Sequence, residues 1–233
     1  MKTHAFIFAR GGSQGLKRKN LKKIKDSSLL EIALKKAKKI KKIDQIFIST
    51  EDLEIADIAL QNEVNVIKRP KKLASNKSPE ILSWKHAIEY VEKNFGPFEI
   101  FTSIPCTSPF SRVEDINLSI KKIKRIKADF CVGITESNKS PHFNMVKINK
   151  TGFVDLYSAN KKNIFRRQDA PKIFDLTTNF YTGKKDYILT CNTFFEGKVT
   201  FVKVDKKYAL DIDDEFDYKI AKFLAENGIN MTY

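Results

Sequence analysis

The chain has 233 residues, of which 42% are hydrophobic and 30% are charged, which suits one domain with a substantial buried core. No apolar run approaches the ~20 residues that a bilayer span requires, and the apolar stretch after Met1 is too short for a secretory signal. We therefore expect a cytoplasmic protein with no membrane partner. The net charge is +15, but the lysines are spread along the chain and alternate with apolar residues at helical spacing, which favours a solvated face over a nucleic-acid surface.

Short β-rich runs alternate with amphipathic segments, a pattern typical of a parallel sheet with helices on its faces. The predicted strands are residues 4–9, 45–49, 64–67, 98–104, 129–134 and 199–204. The predicted helices are residues 28–42 and 52–62, a third that Ser78 caps with Pro79 in its first turn, a fourth behind a capping box at 111–114, and residues 214–226. The predicted fold class is α/β, with a Rossmann-like, mainly parallel sheet and helices on both faces.

Residues 135–178 interrupt this alternation. A turn at Lys150-Thr151-Gly152 separates two apolar segments, 143–149 and 153–157, which predicts a β-hairpin. No repeat or low-complexity linker marks a boundary. We therefore predict one domain over residues 1–233, with residues 137–178 as an inserted arm.

The loop after the first predicted strand, residues 9–20, is the most informative segment. It contains three glycines and three basic residues: Gly11, Gly12, Gly15, Arg10, Arg18 and Lys19. Glycines let a backbone approach a ligand closely and expose its N–H groups, and in a doubly wound sheet such a loop lies where ligands bind. These features suit a triphosphate, although neither G-x-x-x-x-G-K-[ST] nor G-x-G-x-x-G is present and a flexible glycine turn is the alternative.

Two aspartates near the end of the chain are candidates for a metal site. Asp211 and Asp213 lie two residues apart, so in an extended segment they project to the same face. Paired carboxylates suit Mg²⁺, which is commonly shared between carboxylates and substrate phosphates. The alternative is that Asp213 and Asp214 only stabilise the N-terminus of the last helix.

Two further segments are weaker candidates for ligand binding. The adjacent Arg166 and Arg167 suit phosphate or carboxylate recognition, with an ordinary solvated loop as the alternative. The loop at residues 105–110 follows a predicted strand, and its Thr107 and Ser108 hydroxyls could bind a polar ligand.

Six segments, in this order, resemble motifs of the acylneuraminate cytidylyltransferases, the CMP-sialic acid synthetase family. The loop at residues 9–20 resembles the family's A-R-G-G-S-K-G-(I/L)-P-x-K-N. The other segments resemble V-S-T-D at 48–52, R-P-x-x-L-A at 69–74, P-T-S-P-L-R at 106–110 with Arg112 nearby, R-R-Q at 166–168 and D-I-D at 211–213. The resemblance covers nearly the whole chain.

The resemblance implies transfer of CMP from CTP to the anomeric hydroxyl of an acidic 2-keto sugar, a sialic-acid-like nonulosonate, with release of pyrophosphate. The implied nucleotide-binding residues are Arg10, Gly11, Gly12, Ser13, Lys19, Asn20 and Ser78. Asp211 and Asp213 would hold Mg²⁺, and the implied catalytic residues are Arg10, Lys19 and Asp211. The implied sugar-binding residues are Thr107, Ser108, Arg167, Gln168, Phe194 and Phe195. The arm would help to form a homodimer.

Three positions depart from the family pattern. Gln14 replaces a lysine, Lys17 replaces a proline, and Pro105 replaces the glutamine of the sugar-facing side. The nucleotide half is therefore closer to the family than the sugar half, which favours a related nine-carbon or eight-carbon sugar acid over N-acetylneuraminate. The alternatives are a nucleotidyltransferase for another sugar acid such as Kdo, a degenerate homologue kept as a binding subunit, and a basic nucleic-acid-binding protein.

Overall fold

The computed structural model describes residues 1–13, 15–158, 170–229 and 231. Its strands are β1 (Thr3–Phe8), β2 (Lys23–Ile24), β3 (Ser27–Ser28), β4 (Gln45–Thr50), β5 (Asn65–Lys68), β6 (Ile100–Ser103), β7 (Phe130–Glu136), β8 (Val146–Ile148), β9 (Val154–Leu156), β10 (Phe174–Lys184) and β11 (Val199–Lys203). Its helices are α1 (Leu29–Lys39), α2 (Leu53–Gln61), α3 (Glu80–Phe95), α4 (Val113–Arg125), α5 (Lys185–Thr190) and α6 (Glu215–Glu226). All six predicted strands are therefore confirmed. No helix in the described ranges has both the length and the apolar character needed to cross a membrane.

The central sheet has seven strands in the order β11-β7-β10-β6-β1-β4-β5. Every neighbouring pair is parallel except those that involve β10, which runs antiparallel to both β6 and β7. The sequence pattern did not predict β10, and its first residues, 174–178, fall in the range predicted as the arm. Polar residues occupy several of its buried positions, and they have partners: Asn179 donates to the Tyr208 carbonyl at 2.9 Å, and Thr182 shares a hydrogen bond with Ser119 at 2.7 Å. A strand buried in this way lacks the apolar signal on which the prediction depends.

Helices cover both faces of this sheet, as predicted. Residues of β1 alternate between the faces, with Ala5 and Ile7 in one core and Phe6 in the other. The first core also receives apolar residues from α1, α2, α4 and α6, and the second receives them from α3 and α5. The two cores fix the strand ends, and therefore the loops that follow them.

Two predicted helix caps are wrong. Ser78 does not cap α3, because Pro79 is the N-cap residue and the Ser78 hydroxyl is buried without a hydrogen-bond partner. The capping box at residues 111–114 does not form either, since Arg112 is the N-cap of α4 and makes no side-chain cap bond. The Ser111 hydroxyl instead accepts a hydrogen bond from Lys36 at 2.6 Å.

The predicted hairpin is present as β8 and β9, which pair antiparallel from Val146 opposite Leu156 to Ile148 opposite Val154. The turn includes Gly152, whose φ of 85° lies in the left-handed region that glycine adopts easily. Every residue of the two strands is exposed. The hairpin therefore presents apolar side chains to solvent.

Candidate active site

An open cleft of about 610 Å³ lies at the carboxyl edge of the parallel strands. It lies between the glycine-rich loop that follows β1, the chain leading into α3, and the segment before α6. Seven of the predicted site residues line it: Arg10, Ser13, Lys19, Asn20, Ser78, Thr107 and Asp213. The structure thus brings into one cavity residues that are far apart in the chain.

Gly11 and Gly12 have different surroundings in the glycine-rich loop. The Gly11 N–H donates to the Glu51 carboxylate at 2.8 Å, and a Cβ at Gly11 would lie 2.2 Å from Oδ2 of Asp52. Gly11 is therefore required for the loop to pack against the chain after β4. A Cβ at Gly12 would have no heavy atom within 4 Å, so packing within the protein does not require glycine there.

Arg10 and Asn20 fix the shape of the loop. The Asn20 side chain is buried and donates to the Arg10 carbonyl at 3.0 Å, which joins the two ends of the loop. The Arg10 guanidinium donates to the Asn76 side chain at 2.5 Å, across to the chain that precedes α3. Arg10 therefore links two walls of the cleft.

Arg18, by contrast, does not line the cleft. Its guanidinium pairs with Asp52 at 2.6 Å and also with Glu54. The basic residues that line the cleft in the described part of the chain are Arg10, Lys19 and Arg69. The positive charge available to an anionic ligand is therefore smaller than the loop sequence suggests.

Ile212 connects the glycine-rich loop to the loop after β6. Its N–H donates to the Thr107 carbonyl at 2.9 Å, and its carbonyl accepts from Nζ of Lys19 at 2.7 Å. The Ile212 side chain is fully buried, so this backbone position is anchored in the core. A Cβ at Gly15 would lie 2.4 Å from the Asp213 carbonyl, which shows how closely the two segments approach.

The two aspartates beside Ile212 have different environments. The Asp213 side chain is 77% exposed and lies 3.2 Å from Nζ of Lys19. Asp211 is more enclosed, and desolvation raises its pKa, an effect that the negative charge of Asp213 reinforces and that Thr107, Thr178 and Lys19 oppose. Its Oδ1 atom is buried and has no hydrogen-bond partner. The predicted metal site thus combines one enclosed carboxylate with one exposed carboxylate.

These two carboxylates fit a hard divalent cation. An unpartnered carboxylate oxygen is unfavourable when buried, and a cation would satisfy Oδ1 of Asp211. The described residues contain no cluster of three or more His, Cys, Asp or Glu that could hold a metal by itself. A metal here would therefore need ligands from a substrate, as Mg²⁺ shared with phosphate oxygens has.

A smaller cavity of about 150 Å³, here called the inner pocket, adjoins the cleft. The two cavities share Phe8, Asn20, Glu80 and Thr107, so they form one continuous recess. The inner pocket is further lined by Ser103, Pro105, Cys106, Thr178 and Tyr181. Thr107, predicted to bind sugar, therefore lies at the junction.

The other predicted sugar-binding residues do not line these cavities. The Ser108 hydroxyl is buried and bonds to the Thr178 carbonyl at 3.1 Å, so it holds the loop against β10. Phe194 packs on Phe130 with ring centroids 5.0 Å apart, and Phe195 is 62% exposed. The remaining sugar-binding predictions, Arg167 and Gln168, lie outside the described residues, as does the neighbouring Arg166.

Sequence reasoning did not assign Arg69 or Glu80 to the site. Arg69 is buried and donates to the Ser49 carbonyl at 2.6 Å, which ties the loop after β5 to the end of β4. Its place in the R-P-x-x-L-A match was an available signal. Glu80 lines both cavities, and although it is partly exposed, desolvation in the recess raises its pKa, against the attraction of Arg69. Nothing in the local sequence of Glu80 indicates this position.

Comparison with known proteins identifies what this chain is similar to. The cytidylyltransferase family model matches residues 4–227. Two relatives are each 30% identical over 220 residues, covering 94% of this chain and 92% of theirs: post-translational flagellin modification protein B of Campylobacter coli and CMP-N,N′-diacetyllegionaminic acid synthase of Campylobacter jejuni. An N-acylneuraminate cytidylyltransferase of Escherichia coli is 27% identical over 93% of this chain and 50% of its own length.

Solved structures support the fold. The CTP complex of a CMP:2-keto-3-deoxy-manno-octonic acid synthetase matches with a TM-score of 0.72 over 97% of this chain and 99% of that chain, at 12% identity. A cytidylyltransferase from Leptospira borgpetersenii matches with a TM-score of 0.66 over 100% of this chain and 90% of its own, at 15% identity. The mainly parallel sheet described above is therefore the sheet of these nucleotidyltransferases.

Proposed function

This chain belongs to the cytidylyltransferase family, and we propose that it transfers CMP from CTP to the anomeric hydroxyl of an acidic 2-keto sugar and releases pyrophosphate. The observation that carries this proposal is the convergence of Arg10, Ser13, Lys19 and Asp213 on one cleft. Cations and backbone N–H groups suit a triphosphate, and the nearby carboxylates suit a shared metal ion. The adjoining inner pocket has room for part of a second substrate.

We propose that CTP lies along the glycine-rich loop, with its phosphates near Arg10 and Lys19. The open space at Gly12 leaves room for a phosphate to approach the backbone closely. Lys19 is held by the Ile212 carbonyl at 2.7 Å, so its charge is fixed before substrate arrives. A preorganised cation stabilises the developing phosphate charge without further reorganisation.

The proposed reaction is an in-line displacement at the α-phosphorus of CTP. The anomeric oxygen of the sugar forms a bond to this phosphorus, the bond from the α-phosphorus to the bridging oxygen breaks, and pyrophosphate leaves. The protein contributes chiefly by aligning the two substrates and by stabilising charge with Arg10 and Lys19. Asp211 and Asp213 would hold Mg²⁺, which when bound supplies Lewis-acid stabilisation of the phosphate oxygens.

The sugar that we favour is a nonulosonate of the legionaminic acid type. One relative at 30% identity is a CMP-N,N′-diacetyllegionaminic acid synthase. In this chain Pro105 lines the inner pocket, at the position where the resemblance expects a glutamine on the sugar-facing side. We therefore favour such an acid over N-acetylneuraminic acid, and since CTP is a cytoplasmic metabolite, the proposed reaction belongs to that compartment.

We also propose that the protein is a homodimer formed with the help of the hairpin β8–β9. This hairpin exposes several large apolar side chains, among them Val146, Ile148, Phe153 and Val154. Clustered exposed apolar surface commonly marks an interaction site. Light scattering of the purified protein should give the mass of a dimer, whereas the Ile148→Lys variant should shift towards the monomer mass.

The function is tested by pyrophosphate release with CTP and Mg²⁺. The acceptors are N,N′-diacetyllegionaminic acid, N-acetylneuraminic acid and 2-keto-3-deoxy-manno-octonic acid, and ATP, GTP and UTP serve as nucleotide controls. We expect release with CTP alone among the nucleotides and the highest kcat/KM with N,N′-diacetyllegionaminic acid. Equal use of all four nucleotides, or no binding of CTP by calorimetry, would contradict the proposal.

A further inference from the structure

Lys36 is a charged residue at the centre of a helix face that packs on the core. It lies in α1, and its side chain is fully buried, next to apolar residues of the same helix such as Ile32 and Ala37. No carboxylate in the described ranges pairs with it. An apolar residue of similar length would pack here without the cost of burying an ammonium group.

The ammonium of Lys36 is nevertheless fully hydrogen-bonded. Nζ donates to the Ser108 carbonyl at 2.9 Å, to the Pro109 carbonyl at 3.2 Å and to the Ser111 hydroxyl at 2.6 Å. An ammonium group has three N–H donors, so its donors match the acceptors in number. Burial lowers the pKa of Lys36 to about 7, against a small opposing effect of Cys106.

All three acceptors belong to one loop, residues 104–112 between β6 and α4. This loop carries Thr107, whose side chain lines the junction of the cleft and the inner pocket. The Thr107 carbonyl accepts the Ile212 N–H at 2.9 Å, and Ser108 bonds to Thr178. The position of the loop therefore affects both the inner pocket and the segment that carries Asp211.

We propose that Lys36 is a positioning residue for the sugar side of the active site: from inside the core, its ammonium holds the backbone of the loop after β6 so that Thr107 faces the recess. The proposal rests on the proposed function, because the inner pocket is taken to receive the sugar. Lys36 touches no substrate. Its effect passes through the loop, and the glycine-rich loop does not depend on it.

The test compares Lys36→Met with Ile32→Val, a mild cavity-forming change in the same helix. Both proteins are assayed with CTP and N,N′-diacetyllegionaminic acid, and CTP binding is measured separately by calorimetry. Because small displacements of substrate-positioning groups can reduce rates strongly, Lys36→Met should raise KM for the sugar acid about tenfold or more. Its dissociation constant for CTP should stay within about twofold of the wild-type value, and Ile32→Val should change neither quantity.

A second measurement does not depend on turnover. Amide hydrogen exchange in the peptide that covers residues 104–112 should be at least about tenfold faster in Lys36→Met than in the wild type or Ile32→Val. If Lys36→Met does not fold, Ser111→Ala removes one of the three acceptors and should give a smaller shift in the same direction. If the wild type uses none of the acids, the proposed function fails while exchange still tests Lys36.

Three outcomes would overturn the proposal. One is unchanged exchange and unchanged kinetics in folded Lys36→Met. Another is an equal loss in Ile32→Val, which would mean that any weakening of α1 has this effect. The third is equal weakening of CTP and sugar binding, which would place the effect outside the sugar side.

Discussion

The glycine-rich loop on the nucleotide side of the cleft and the lining of the inner pocket are built differently. The loop supplies Arg10, Ser13, Lys19 and Asn20 from eleven consecutive positions, and much of its proposed role depends on exposed backbone. The inner pocket instead takes single side chains from the ends of β1, β6 and α3 and from the middle of β10. A phosphate chain can be bound by one segment of backbone, whereas a sugar acid must be surrounded by side chains from several elements. The segment that contains Ile212 joins the two sides.

The largest effect is expected where the two sides meet. Asp211→Asn should lower kcat about a hundredfold or more with little change in fold, because it removes one charged oxygen that would hold the metal ion. Asp57→Asn, an exposed change on α2, is the matched control. Near-normal turnover in Asp211→Asn with intact circular dichroism would remove Asp211 from the catalytic site.

The nucleotide side is tested by a pair of lysines in the same loop. Lys19→Met should lower kcat/KM for CTP about tenfold to a hundredfold, because Lys19 faces the cleft and is held by the Ile212 carbonyl. Lys17→Met should have little effect, since Lys17 is exposed and does not line the cleft. Equal losses in the two variants would mean that general positive charge, rather than a fixed cation, attracts the nucleotide.

The sugar side is tested by a change of selectivity. Pro105→Gln introduces an amide into the inner pocket and should raise kcat/KM for N-acetylneuraminic acid relative to N,N′-diacetyllegionaminic acid by about three- to tenfold. KM for CTP should not change. A variant that alters the CTP parameters and leaves the sugar ratio constant would contradict the division of the cleft into two sides.

A smaller effect separates packing from ligand approach within the glycine-rich loop. Gly11→Ala should destabilise the protein by about 1–3 kcal/mol, because its Cβ would collide with Asp52. Gly12→Ala should leave the free energy of unfolding within about 0.5 kcal/mol and raise KM for CTP. Urea unfolding and initial-rate kinetics on both variants measure this difference.

The smallest expected effect is a dependence of stability on pH at Asp211. Because burial raises the pKa of Asp211 in the folded protein above its unfolded value, the unfolded state binds fewer protons between these two values, and ionised Asp211 lowers stability at neutral pH. Asp211→Asn should therefore be more stable than the wild type at pH 7, and its advantage should shrink as the pH falls towards 4. An advantage that is constant from pH 4 to pH 7 would show that Asp211 does not titrate in this way.

Local sequence predicted the parts of the fold that local physics decides. Apolar runs of β-rich residues indicated six of the seven strands of the central sheet, and helical spacing of apolar residues indicated α1, α2, α3, α4 and α6. The glycine-rich loop could be recognised because its function depends on backbone freedom and on neighbouring charges. The family resemblance added the expected substrates, and the comparisons confirm the family.

Tertiary structure alone decided which side chains face the recess. Thr107 and Ser108 are neighbours with similar side chains, yet one lines the cleft and the other bonds to β10. The burial of Lys36 under the same loop and the exclusion of Arg18 by Asp52 depend on contacts between residues more than thirty positions apart. No spacing rule within one segment specifies such contacts, because they depend on how the strands are ordered and how far each loop extends.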